Sequence, residues 1–130
     1  MHPLFFAQPA TRHLVDPHLR ESFTMGHLVI ACYRPKPGQE EALRAVVREH
    51  LPALRKLGLA TARPSVLLRA GDGTLLELFE WVSAEAVERA HHDPAVQAIW
   101  GRFFAVCDCV KLSDLAESAE MFPHFEPLTP

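Results

Sequence analysis

The run Leu75–Val82 carries two carboxylates, Glu77 and Glu80, where a buried strand would be wholly apolar. At period two, Glu77 and Phe79 share a face with Trp81. If Trp81 turns to a barrel interior, all three line it. A carboxylate in such a stripe can act as a general base or acid. The competing reading places Glu77 near a dimer edge, paired with an arginine such as Arg69 on the next strand. Glu80 points the other way, with Leu78 and Val82, toward solvent or a helix charge.

Three histidines have chemical potential. His91 and His92 are adjacent, so on a helix they diverge by roughly 100° and only one can face a pocket. An imidazole there can exchange protons near neutral pH or ligate haem iron. It can equally bind backbone carbonyls at a helix end. His50 falls at helical spacing with Val46, Val47 and Leu54. It either fills a gap before Pro52 or supplies a second pocket imidazole. Tyr33 and Trp100 could line a cavity and stack a flat aromatic substrate, although Trp100 also belongs to a helical core stripe.

Cys107-Asp108-Cys109 does not have zinc spacing, which needs C-x₂-C and a second pair elsewhere. Both thiols are expected to be buried as small hydrophobes. The eight histidines show no H-x-E-x-H or related spacing, so no metal site is expected. There is no G-x-S-x-G, no phosphate-binding glycine loop and no Rossmann fingerprint. Gly71-Asp72-Gly73 reads as a turn.

The elements that must position these residues follow from patterning. His27–Arg34 is a β-rich run ended by Pro35 and Pro37. Gly38 opens a helix with Glu40 and Glu41 in its first turn and Arg55 and Lys56 in its last. Leu43, Val46, Val47, Leu54 and Leu57 recur at helical spacing. Gly58 closes it, and Pro52 predicts a kink near Arg48–Leu51. Pro64–Ala70 and Thr74–Val82 form a hairpin about Gly71-Asp72-Gly73. Ser83 caps a helix reaching roughly His92. Asp93-Pro94 restarts it as N-cap and N1, with Val96, Ile99, Trp100 and Phe103 as the buried stripe. Cys107–Leu112 is a fourth strand. Ser113 begins a short helix to about Met121, and an extended tail follows. The order β-α-β-β-α-β is that of an α+β, ferredoxin-like domain with an antiparallel sheet. Residues 1–25, rich in proline and histidine, read as a separate N-terminal arm, flexible or packed on a partner through Leu4, Phe5, Phe6 and Phe23. Met25 is a candidate natural start. The domain proper is 26–130.

A chain of 130 residues accommodates one domain. A net charge of -3 and the absence of any basic cluster argue against nucleic-acid binding. The longest apolar runs are too short to span a bilayer. An odd number of cysteines, three, and no basic leader point to a reducing cytoplasm. Both faces of the predicted sheet are apolar. Val29, Ala31 and Tyr33 oppose Leu28, Ile30 and Cys32; Leu75, Phe79 and Trp81 oppose Leu76, Leu78 and Val82; Val66 and Leu68 oppose Leu67. A ferredoxin-like sheet has helices on one face only. The other therefore needs cover, and a two-fold homodimer is the expected source. The C-terminal tail is the alternative cover.

The opening Arg34-Pro35-Lys36-Pro37-Gly38 resembles the antibiotic-biosynthesis-monooxygenase-like members of the dimeric α/β-barrel superfamily. So do Phe79-Glu80-Trp81-x-Ser83-x-Glu85-Ala86 and Ala90-His91-x-x-Pro94-Ala95-Val96. The resemblance spans about residues 27–112. It implies a dimeric barrel with a pocket in each subunit. That superfamily includes cofactor-free quinol and polyketide monooxygenases and haem-degrading enzymes. Trp81 and His91 look like two residues of the haem-degrading trio, but the Asn position is Tyr33, and haem degradation is not carried over. The expectation is a monooxygenase-like enzyme without a bound cofactor, acting on a small aromatic or polyketide-like molecule. His91 or Glu77 would be the base, and Tyr33, Phe79, Trp81, His50 and Trp100 would bind substrate. The rival is a non-catalytic binding or sensing module of the same shape. A purely structural association domain, with its interior filled, is a third possibility.

Overall fold

The computed structural model of the chain describes residues 26–129; the expected N-terminal arm lies outside them. The elements run β1 (His27–Pro35), α1 (Glu40–Lys56), β2 (Val66–Arg69), β3 (Leu75–Trp81), α2 (Ala84–Ala90), α3 (Pro94–Val106), β4 (Cys107–Val110) and β5 (Glu126–Leu128). The strands form one antiparallel sheet in the order β4-β1-β3-β2-β5. Five antiparallel strands with three helices make an α+β arrangement compatible with a ferredoxin-like fold.

Local chemistry explains the boundaries. Ser83 Oγ accepts from the Ala86 N–H, and the Asp93 carboxylate accepts from Ala95 and Val96 N–H, so each cap fills donors that the helix cannot. Pro94 sits at N1, where its missing N–H costs nothing. The β2–β3 turn closes with Gly73 at φ +93°, a conformation that a side chain would strain. Asp72 Oδ1 accepts the Thr74 N–H across it. The first helix begins at Glu40 rather than Gly38, which takes φ +75° in the preceding turn. It runs as a single helix through Pro52.

The C-terminal region differs from expectation. In place of a helix over Ser113–Met121 stand two 3-10 turns, Leu112–Asp114 and Ala116–Ala119. The tail then adds β5 to the edge of β2, through Leu67↔Leu128 to Arg69↔Glu126. Three- and four-residue turns let the chain reverse onto the sheet and bury Leu115, which a straight helix would carry away.

Register places side chains by layer. Tyr33, Leu67, Leu75, Glu77, Phe79 and Trp81 lie beneath the helices, against Leu43, Val46, Val47, Leu51 and Leu54 of α1 and Val96, Ile99 and Phe103 of α3. The Glu77–Phe79–Trp81 stripe faces the helix layer. The opposite face carries Cys32, Leu68, Leu76 and Leu78, with Leu115 and Phe125 of the tail packed on part of it. No helix among the described residues is long and apolar enough to cross a membrane.

Candidate functional site

Between sheet and helices lies a chain of polar contacts in an otherwise apolar layer. Strand β3 presents Glu77, and β1 presents Tyr33 two register positions away on the same face. Helix α1 lowers His50 onto them, and α3 brings Trp100 from the other side. Glu77 and His50 are only 2% and 3% exposed, so their polar atoms depend on one another.

Tyr33 Oη–H donates to Glu77 Oε1 at 2.7 Å. His50 Nδ1 is 3.0 Å from the same oxygen. Trp100 Nε1–H donates to His50 Nε2 at 3.2 Å. An indole N–H can only donate, so Nε2 must accept and Nδ1 carries the ring proton, which it donates to Glu77. The tautomer is therefore dictated by the two neighbours. Two aromatic rings pack against the imidazole: it makes T-shaped contacts with Phe79 and Phe103, with centroids 5.5 and 4.9 Å away. Phe103 in turn stacks on Tyr33 at 4.5 Å.

Tyr33 is held as a phenol. Burial, then the charge of Glu77 and the hydrogen bond to it, push its pKa well above the usual value. It is a donor at this site, not a base.

A cleft of about 190 Å³ opens beside this cluster, with Val29 and Ala31 as a small-residue floor and Tyr33, His50, Trp81 and Trp100 among its walls. Phe104, exposed, and Cys109 stand at its rim. The volume suits one or two fused rings rather than a larger ligand. Cys109 is exposed and Cys107 buried, so only one of the two thiols behaves as expected. A hydrogen bond from Cys107 lowers the Cys109 pKa to about 7, against the opposing effects of burial and Asp108.

Of the residues singled out by sequence, Tyr33, His50, Glu77, Phe79, Trp81 and Trp100 are brought together. His91 is not. It sits exposed at the end of α2 with Nδ1 2.8 Å from the Val87 carbonyl, its ring in a T-shaped contact with Trp100. The suggested Glu77–Arg69 pair is also absent; Arg69 reaches Glu40 at 3.4 Å and Glu126 at 3.5 Å. Glu80 meets Thr61 and Arg63. Sequence reasoning gave His50 and Glu77 separately but missed their pairing, because residues 27 apart signal no contact in one sequence. Phe103 appeared only as core, though it braces both Tyr33 and His50. Among the described residues no cluster of His, Cys, Asp and Glu has the makings of a metal site. Compared with family models, curated proteins and solved structures, the chain matches none.

Proposed function

We propose that the protein is a small-molecule enzyme in which His50 Nε2 removes a proton from an aromatic substrate bound in the cleft. The observation that carries this reading is the Glu77–His50 hydrogen bond. It leaves the Nε2 lone pair on the wall of a ring-sized apolar cleft. Glu77 would orient the ring and stabilise the imidazolium that forms, a positioning role. Tyr33 would hold the carboxylate in place. The Trp100 N–H occupies Nε2 in this structure, so a substrate hydroxyl or acidic C–H must displace it.

Deprotonation of an activated ring methylene gives a carbanion whose electrons can pass to O₂. In balance, CH₂ and O₂ give C=O and H₂O, with one oxygen atom retained and no bound cofactor needed. This is the chemistry the resemblance to the antibiotic-biosynthesis-monooxygenase-like proteins implies. Offering a panel of phenols, hydroquinones and cyclic methylene ketones tests it by oxygen uptake. Incorporation of a single ¹⁸O atom from labelled O₂, lost in His50→Ala, is expected. Oxygen uptake unchanged in His50→Ala would overturn it.

A second reading is a binding module of the same shape. It is favoured by the Trp100–His50 contact, which satisfies the very lone pair a base would use. It predicts ligand binding with no turnover of any panel member.

We further propose that two copies associate through the open sheet face. Leu28 (68% exposed), Ile30 (47%) and Val66 (48%) remain uncovered there beside a cleft of about 370 Å³ that Leu68 and Leu78 line. The tail covers only part of this surface. A second sheet of the same composition would bury the rest, giving the dimeric barrel and leaving the aromatic cleft within each protomer.

A further inference from the structure

Glu77 has two sides. Its Oε1 takes both protein hydrogen bonds, from Tyr33 and His50. Its Oε2 receives none from any described group. The aromatic cleft does not include Glu77; a different cleft of about 270 Å³ does. That second cleft lies between α1 and β2. Leu51 and Leu67 line its apolar walls, and Arg48, Arg55 and Ser65 its polar ones.

The charges there are unbalanced. Arg55 spends its Nε and Nη2 donors on the carbonyls of Thr61 and Arg63, at 2.8 and 2.7 Å, and these neutralise no charge. Neither Arg55 nor Arg48 pairs with a carboxylate among the described residues, although Arg34, Arg63, Arg69 and Arg102 all do. A guanidinium is charged throughout the physiological range. The cleft thus joins two guanidinium groups that form no ion pair to the carboxylate of Glu77, whose Oε2 has no donor among the described residues, across an apolar stretch.

We propose that this cleft is a second binding site, for a small molecule with a carboxylate at one end and a hydroxyl or ammonium donor at the other. The carboxylate pairs with Arg48 and Arg55, the donor binds Glu77 Oε2, and the intervening carbons lie on Leu51 and Leu67. An anion alone would be repelled by Glu77, and a cation alone by the arginines, so a molecule with both ends binds best. The site does not depend on the chemistry proposed for the aromatic cleft. It does touch that chemistry: a donor on Oε2 competes for charge that Oε1 lends to His50 Nδ1–H, and any such coupling is reciprocal.

The test uses 6-hydroxyhexanoate, an aliphatic probe with no ring for the aromatic cleft, against hexanoate and 1,6-hexanediol. Titration of ¹⁵N-labelled full-length protein should give saturable shifts at the Ser65 and Leu67 amides. It should also shift the His50 ring nitrogens, although the probe does not touch them. Each half-probe should bind about tenfold more weakly, the worth of one charge-assisted hydrogen bond. Arg48→Ala, an exposed change that leaves the core untouched, should weaken 6-hydroxyhexanoate and hexanoate by about the same factor and leave hexanediol alone. Arg48→Glu should abolish carboxylate binding. Absence of saturable shifts, equal affinity for all three probes, or indifference to Arg48→Glu would each overturn the proposal. Loss of oxygen uptake in the aromatic cleft would not bear on it.

Discussion

His50 and Glu77 meet at 3.0 Å beneath the helices, one from α1 and one from β3; His50 Nδ1 has no other partner among the described residues, and Glu77 Oε1 otherwise accepts only from Tyr33. Removing either leaves buried donors or acceptors without water to replace them. Glu77→Ala strips an acceptor from both Tyr33 and His50 and should destabilise the fold by about 3 kcal/mol or more. Glu77→Gln keeps an acceptor oxygen and should cost about half that. Urea denaturation measures both. A loss below about 1 kcal/mol in the alanine variant would mean that the cluster is hydrated and contributes little.

Tyr33 should make the fold sensitive to alkali. Its native pKa is raised above the ordinary value of 10.0 by burial and by Glu77. The unfolded chain therefore releases this proton at lower pH than the folded one. The stability that Tyr33 provides is complete below about pH 10 and is lost as pH rises toward the raised native value. Tyr33→Phe should be less stable near neutrality by about 1 kcal/mol, from the lost hydrogen bond, yet fall less steeply above pH 10. Parallel slopes for the two proteins would contradict the assignment.

Trp100 and His50 should respond differently to substitution if the cleft is catalytic. His50→Ala removes the base and should lower turnover of an accepted substrate at least about a hundredfold. Trp100→Phe removes only the N–H on Nε2 and should retain turnover within about tenfold. Its ¹⁵N spectrum should show the Nε2 resonance displaced from the wild-type position. An equal collapse in both variants would assign Trp100 to the chemistry itself.

Cys109 should be the reactive thiol. With its pKa lowered to about 7 by the Cys107 hydrogen bond, alkylation by iodoacetamide should rise to half its plateau near that pH. Cys107, whose proton is held by Cys109 and by burial, and buried Cys32 should label slowly. Peptide mapping by mass spectrometry separates the three. Cys107→Ala should shift the Cys109 profile upward.

The proposed association predicts a dimer in sedimentation velocity. Leu28→Lys with Ile30→Lys places two charges on the uncovered sheet face, where neither residue is buried in the protomer. The variant should sediment as a folded monomer. A monomeric wild type would remove the two-copy barrel while leaving both clefts intact.

Much of this architecture was legible in the sequence because it rests on local rules. Asp93-Pro94 can only start a helix in one way, and Gly71-Asp72-Gly73 can only turn a hairpin. Alternation along Leu75–Val82 put Glu77, Phe79 and Trp81 on one face before any coordinates. The helical spacing of His50 with Val46 and Val47 marked it as inward. What period cannot say is which inward residues of different elements touch. The 3.0 Å meeting of His50 with Glu77 depends on how α1 crosses β3, and the crossing is set by the summed packing of Leu43, Val47, Leu54 and Phe103. The same packing left His91 outside, as the exposed C-cap of α2 with its ring against Trp100. It also turned the tail into β5, because an edge strand accepts any extended chain that reaches it. Sequence by itself determined the elements and their faces, where the causes lie within a few residues. The joining of faces into a hydrogen-bonded site, with one cleft lined by His50 and another by Glu77, was decided by tertiary packing alone, where every contact depends on all the others.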